Sequence, residues 1–278
     1  MSEEIAILLT CYNRRKTTIS CLESLFRQRI NKNIMLQVYL VDDGSSDGTS
    51  ELVRERFPQV NILNGDGNLF WGGGMRIAFE VAMKKGFAYY LWLNDDVNLY
   101  DNAIDNLLNT YFFVTKEGND KVIIIGATQD PVTKIVTYSG KKSRSRLLPL
   151  SLRNIEPKGK PIPCDTFNGN CVLIPNRVAM ILGNMDRSFP EAGGDYDYGF
   201  RARKSGCTLW LAPEYIGTCK RNSVEGTWLD KKLSLPERIR LIPSFTKGEP
   251  PFQIKALAKR HCGPLWFIHW LIWYRRVL

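Results

Sequence analysis

The first half of the chain alternates two hydrophobic patterns. Short, mostly apolar runs occupy residues 5–10, 35–41, 60–63, 89–93 and 122–127. In the intervals between them apolar residues return at helical spacing. Ile19, Leu22, Leu25, Phe26 and Ile30 do so in the first interval, and residues 49–57, closed by Pro58, fill the second. Ile77 and Val81 lie within 72–85 in the third, and the fourth runs from Asp101, a capping residue, to about Thr115. Such runs mark strands buried on both faces, as in a parallel sheet covered by helices on both sides. The pattern therefore predicts an α/β fold with a mostly parallel sheet flanked by helices. In such sheets ligands bind at the carboxyl ends of the strands.

The second half is less regular. Residues 141–160 carry basic side chains with Pro149, Pro157 and Gly159, and read as an exposed mobile loop. Residues 171–174 read as a strand, 197–205 as a helix and 208–212 as a strand. After Pro213 the periodicity gives way to scattered proline, basic residues and tryptophan, which places a soft boundary near Thr218. The expected organisation is a catalytic domain over 1–217 and a basic amphipathic segment over 218–278.

Charge sharpens that division. The 278 residues carry a formal charge of +10, and residues 218–278 hold 12 Lys/Arg against 4 Asp/Glu, a net of +8. A basic excess favours acidic partners such as nucleic acid, anionic lipid or phosphorylated ligands. Here it gathers in a Trp-rich tail, which argues against nucleic acid. The seven cysteines include no C-x-x-C pair, which argues against a disulfide framework or zinc knuckle and for a reducing compartment. Glu3 and Glu4 precede the first strand where a secretory leader would be basic, and no apolar stretch nears the ~20 residues needed to span a bilayer.

Three polar clusters fall at predicted strand ends: Thr10 to Arg14, Asp42 to Gly48, and Asn94-Asp95-Asp96. The second is not a calcium loop, because a count from Asp43 puts Arg54 where the loop needs a bidentate Glu. Adjacent carboxylates at a buried strand end repel each other and lose solvation, a problem that a hard divalent cation relieves; capping a helix is the other reading. With the only histidines, His261 and His269, in the tail, histidine-based metal or triad chemistry is not expected.

The order of these clusters resembles family 2 glycosyltransferases. Thr10-Cys11-Tyr12-Asn13-Arg14 follows strand one, Asp42-Asp43-Gly44-Ser45-Ser46-Asp47-Gly48 strand two, and Asn94-Asp95-Asp96 strand four; Asp195-Tyr196-Asp197 comes about a hundred residues later. The resemblance covers roughly residues 5–213 and implies a GT-A fold, Rossmann-like, that binds a nucleotide sugar and transfers its sugar with inversion. It implies that Thr10 and Tyr12 line the base pocket with Asn13 and Arg14 nearby, that Asp43 reads the pyrimidine beside Asp42, and that Asp96 ligates Mg2+ or Mn2+ next to Asn94 and Asp95. Asp195 matches the catalytic base. Asn94 and Gly194 depart from the family's Asp-x-Asp and Glu-Asp pairs. Asn68, Trp71, Gly72, Gly73 and Arg76 resemble the segment that approaches the nucleotide sugar. Asn168, Asn170, Asp197 and Arg201 are assigned to the acceptor side.

The expected partners are a nucleotide-sugar donor carrying UDP or dTDP and a glycan or lipid-linked glycan acceptor, in bacterial surface polysaccharide synthesis of the kind rhamnosyltransferases serve. Trp266, Trp270 and Trp273 recur at helical spacing ahead of Arg275 and Arg276. They suggest an interfacial helix that holds a cytoplasmic enzyme peripherally on the inner membrane; a helix docked on the domain or on a second subunit is the other reading. A nucleotidyltransferase is the competing enzyme class, but a basic glycine-rich phosphate loop is absent after strand one. A non-catalytic nucleotide-sugar-binding relative is the other alternative.

Overall fold

The computed structural model describes residues 3–30, 34–116, 118–145 and 147–278. The first half builds β1 (Glu3–Cys11), α1 (Arg15–Phe26), β2 (Ile34–Asp42), α2 (Thr49–Arg56), β3 (Asn61–Asn64), α3 (Phe70–Lys85), β4 (Tyr89–Leu93), β5 (Asn98–Leu99), α4 (Ala103–Thr115) and β6 (Val122–Gln129). Then come β7 (Val136–Tyr138), β8 (Gly140–Ser145), β9 (Leu148–Asn154), β10 (Ile162–Pro163), β11 (Thr166–Phe167), β12 (Cys171–Pro175), α5 (Asn176–Leu182), α6 (Gly194–Lys204) and β13 (Thr208–Thr218). The tail holds α7 (Leu235–Leu241), α8 (Pro251–His261) and α9 (Trp266–Tyr274).

The central sheet runs β10-β13-β6-β12-β4-β1-β2-β3. The pairs β1–β2, β1–β4, β2–β3 and β6–β13 are parallel, while β12 lies antiparallel between β4 and β6. Alternate side chains of each apolar run enter opposite layers. Ile5, Ile7 and Leu9 pack with α1 and α4 on one face; Ala6 and Leu8 pack with Met75, Ala78 and Phe79 of α3 on the other. The expected α/β sheet with helices on both faces is what the chain forms.

Three local readings change. Most of the stretch expected to be a loop is a hairpin: β8 and β9 pair antiparallel, and β11 adds to β8 in a second sheet, while residues 155–160 carry no helix or strand. Leu148, Leu150 and Leu152 alternate along β9, and Leu150 is buried with Phe189, Phe200 and Leu257 while Leu152 packs against that cluster. Helix α4 is preceded by Asn102, while Asp101 pairs with Arg29 at 3.6 Å. Strand β13 continues past Pro213 to Thr218, with its register against β6 shifting after Leu211.

The glycines opening α3 serve close packing. A Cβ on Gly72 would lie 2.2 Å from the Phe189 carbonyl oxygen, and one on Gly74 2.1 Å from Thr10 Oγ1. Gly72 and Gly73 donate their N–H groups to the Pro190 carbonyl at 2.7 and 3.2 Å. Replacing Gly72 by Ala forces a backbone shift; a loss of about 1–3 kcal/mol of unfolding free energy is expected, read as a lower urea midpoint with unchanged slope.

Candidate active site

Strands β1, β2 and β4 end together. Cys11 stands opposite Asp42 in register, and Asp43 N–H donates to the Cys11 carbonyl at 2.9 Å. Asn13, at φ 51°, locks the first loop to the second: its Oδ1 accepts from Ser46 N–H at 2.8 Å and its own N–H donates to Ser45 Oγ at 2.9 Å. Asp42 is consumed within its own loop by Ser45 N–H and the Ser50 hydroxyl. Asp43 accepts from three backbone N–H groups, Gly67 at 2.9 Å, Leu69 at 3.0 Å and Phe70 at 3.1 Å, and so shapes the turn into α3. Thr10, Tyr12, Arg14 and Asp43 line a cavity of about 290 Å³ with Phe70, Trp71, Asn94 and Asp95.

Arg14 bridges the acidic pair, 3.0 Å from Asp95 and 2.7 Å from Asp96. Asp95 is buried and also accepts from the Thr18 hydroxyl at 3.1 Å. Burial pushes its pKa up to about 7 against the opposing pull of Arg14. The other oxygen of Asp96 faces the Cys219 thiol at 3.4 Å. Among the described residues no group of three or more His, Cys, Asp or Glu side chains converges as a metal cage. A carboxylate together with phosphate oxygens and water is a usual shell for Mg2+; here Arg14 and the Cys219 thiol face the two oxygens of Asp96. Asn94 uses its Oδ1 to accept from Trp71 Nε1 at 2.8 Å, and its N–H donates to the Asn170 carbonyl at 2.9 Å.

Asp195 sits in the first turn of α6, after Gly193 at φ 85°. Its oxygens accept from Gly169 N–H at 3.0 Å and Tyr196 N–H at 2.8 Å. Burial raises its pKa to about 6, although these N–H groups and Lys141 pull the other way. Asp195 opens onto a cavity of about 340 Å³ with Asn168, Asn170, Tyr196, Glu249, Trp273 and Arg276. This cavity shares Trp71, Asn94 and Glu191 with the one at Asp43, so the two are neighbours that meet at these three residues. Asn168 and Asn170 therefore stand beside Asp195, with Asn168 Oδ1 buried and without a partner in the structure.

Other expected residues lie elsewhere. Asn68 is exposed and turns its amide to the Asp66 carbonyl. Arg76 lines neither cavity; its carbonyl accepts from Asn184. Gly72 and Gly73 meet the 189–190 backbone. Asp197 and Arg201 face away from Asp195. Asp197 is fully buried and pairs with Arg201 at 2.9 Å, Arg260 at 3.2 Å and His261 at 2.9 Å. Burial opposes its ionisation, but His261 and Arg201 outweigh that and hold its pKa below the usual carboxylate value. This cluster bolts α8 to the helix that carries Asp195.

The sequence reading missed four contributors. Glu191 accepts from Trp71 N–H at 2.8 Å, and its signal was an acid in a Pro/Gly loop just before Asp195. Burial pushes the Glu191 carboxyl upward. Lys141, held low at about 8 by burial, was assigned to a loop. Glu249 and Arg276 come from the tail, which no strand-end rule flags.

A family model described as Glycosyl transferase family 2 matches residues 6–170. The chain belongs to glycosyl transferase family 2. Within it, 198 aligned residues are 25% identical to the N-acetylglucosaminyl-diphospho-decaprenol L-rhamnosyltransferase of Mycobacterium tuberculosis, covering 64% of this chain and 63% of that protein. Glycosyltransferase GlyG of Streptococcus pneumoniae is 24% identical over 127 residues, covering 45% of this chain and 39% of that one. The chain thus spans under two thirds of the length of these relatives. The structure of GalNAc-T7 with UDP, GalNAc and Mn2+ superposes with a TM-score of 0.61 at 12% identity, over 93% of this chain and 51% of that one, and shares the GT-A-like fold.

In this family 2 chain Asp197→Asn leaves cations facing a neutral buried amide. A loss of about 3 kcal/mol of unfolding stability is expected by chemical denaturation, the usual scale for removing one member of a buried ion cluster. An unchanged midpoint would show that the cluster does not hold α8 in place.

Proposed function

We propose that this chain is an inverting glycosyltransferase that moves a sugar from a pyrimidine diphosphate donor, UDP or dTDP, to a hydroxyl of a glycan or lipid-linked glycan. One observation carries the reading: Asp195, fixed by two backbone N–H groups, opens onto a cavity that adjoins the one at Asp43 and Arg14 and shares Trp71, Asn94 and Glu191 with it. The Asp43 end takes the nucleotide, and Arg14 stands where diphosphate charge would gather. An acceptor hydroxyl at Asp195 loses its proton to that carboxylate as its oxygen bonds to the sugar's anomeric carbon. The bond from that carbon to the diphosphate oxygen breaks on the opposite face, so the configuration inverts. A carboxylate with a pKa near 6 is ionised at neutral pH yet basic enough to assist.

A divalent ion, Mg2+ or Mn2+, would be held by Asp96 with the donor's phosphates and would supply counter-charge to the departing diphosphate. The Mn2+ and UDP of the GalNAc-T7 structure support this choice. The name of the Mycobacterium relative supports a lipid-linked acceptor, rhamnosyl transfer and a place in bacterial surface polysaccharide synthesis. Peripheral attachment to the cytoplasmic face of the inner membrane follows the same logic. No described helix is long and apolar enough to cross a membrane, and Leu265, Phe267, Ile268 and Leu271 are exposed around α9. The tryptophans do not supply that face, contrary to the sequence reading. Trp266, Trp270 and Trp273 pack on the Leu257 cluster, where the indoles of Trp270 and Trp273 donate to the Pro251 carbonyl and to Glu249.

Asp195→Asn should lower turnover by about 10²–10⁴ while nucleotide affinity stays constant. The native enzyme's kcat/KM should fall as pH drops below about 6, because protonation removes the base, and should plateau above it. The variant should lack that acid limb; a limb that survives in it excludes Asp195 as the base. Chelation with EDTA should abolish turnover and Mn2+ restore it, whereas full activity in EDTA removes the ion from the mechanism.

A further inference from the structure

A third cavity, of about 400 Å³, lies between the β8–β9 hairpin and the end of α9. Its wall gathers five cationic side chains, Lys141, Arg144, Arg221, Arg275 and Arg276, and no carboxylate lines it. Arg276 is paired with Glu249, and Lys141 donates to Asn154 Oδ1 at 2.7 Å. Arg144, Arg221 and Arg275 have no ion-pair partner among the described residues. Cations brought together without counter-charge repel one another, and an anion in their midst removes that repulsion. Guanidinium groups match phosphate oxygens with paired N–H donors, so a phosphoryl group suits them best.

Position says which phosphoryl group. The basic cavity shares Tyr196, Trp273 and Arg276 with the cavity at Asp195, and shares no residue with the one at Asp43. The three cavities therefore form a row with Asp195 in the middle. A molecule entering from the basic end reaches the base with its hydroxyl and leaves its own phosphate behind, away from the donor's. The same cavity has an aliphatic side formed by Leu148, Leu152 and Ile272.

We propose that this cavity binds the diphosphate of an acceptor in which a sugar is joined through diphosphate to a prenyl chain. The assignment rests on the glycosyltransferase reading above and deepens it: it names the acceptor's anionic group and the arginines that read it. Lys141 of this wall lies 5.6 Å from the centre of the Tyr196 ring, which lines both cavities.

The test is calorimetric binding of citronellyl diphosphate, a short prenyl diphosphate, to the full chain with and without saturating UDP. Inorganic pyrophosphate, a neutral citronellyl glycoside and phosphatidylglycerol vesicles serve as separate arms. Arg144→Gln with Arg221→Gln, both exposed positions, should weaken citronellyl diphosphate about tenfold or more and leave UDP affinity unchanged. Arg144→Lys should recover only part of the loss, since the ammonium lacks the paired donors. Equal binding by the double variant and the native chain overturns the proposal. So does equal binding of the neutral glycoside, or arginine-dependent binding of vesicles alone. If UDP does not bind but citronellyl diphosphate does so through these arginines, the donor reading fails and the anion site stands.

Discussion

The structure is organised around crowded negative charge at one edge of a parallel sheet. Asp42, Asp43, Asp95, Asp96, Glu191 and Asp195 all come to the carboxyl ends of the strands or the loops beside them. Like charges so placed cannot all stay ionised without compensation. The chain compensates mainly with backbone N–H groups: three on Asp43, two on Asp195, one each on Asp42 and Glu191. Arg14 takes the remaining pair. Much of the local structure follows. The turn into α3 wraps Asp43, Gly169 lies against Asp195, and burial keeps Asp95 and Asp195 less acidic than free carboxylates.

The tail belongs to this arrangement. Through Asp197, residues Arg260 and His261 of α8 hold the helix whose first turn presents Asp195. Glu249, Trp273 and Arg276 close the cavity in front of that carboxylate. On the proposed reading the donor and acceptor sides meet at Asp195, and the acceptor side is built largely from the hairpin and the tail. The basic and aromatic side chains after β13 lie outside residues 6–170, which the family model matches.

The sheet was legible because the strands at its centre are short, mostly apolar runs that alternate with segments of helical spacing. Asp43, Asn94 and Asp95 were legible as a group because strand ends collect ligands. The hairpin was not, because its lysines, arginines and prolines hid the alternation of Leu148, Leu150 and Leu152. Glu191 and Lys141 act through partners distant in sequence, and no local spacing signals that. The glycines at 72 and 73 pointed to close backbone approach correctly, but the approach is to residues 189–190. The indoles read as an interfacial face ahead of a docked helix because helical spacing shows that three tryptophans share a face without showing what covers it; they pack on the Leu257 cluster.

The central claim is that Asp195 deprotonates an acceptor at the far side of a nucleotide-bound sugar. The most direct measurement is proton NMR of the product formed from a UDP- or dTDP-sugar. The account predicts release of the nucleoside diphosphate and a new glycosidic bond with anomeric configuration opposite to the donor's. A product that retains the donor's configuration would contradict it.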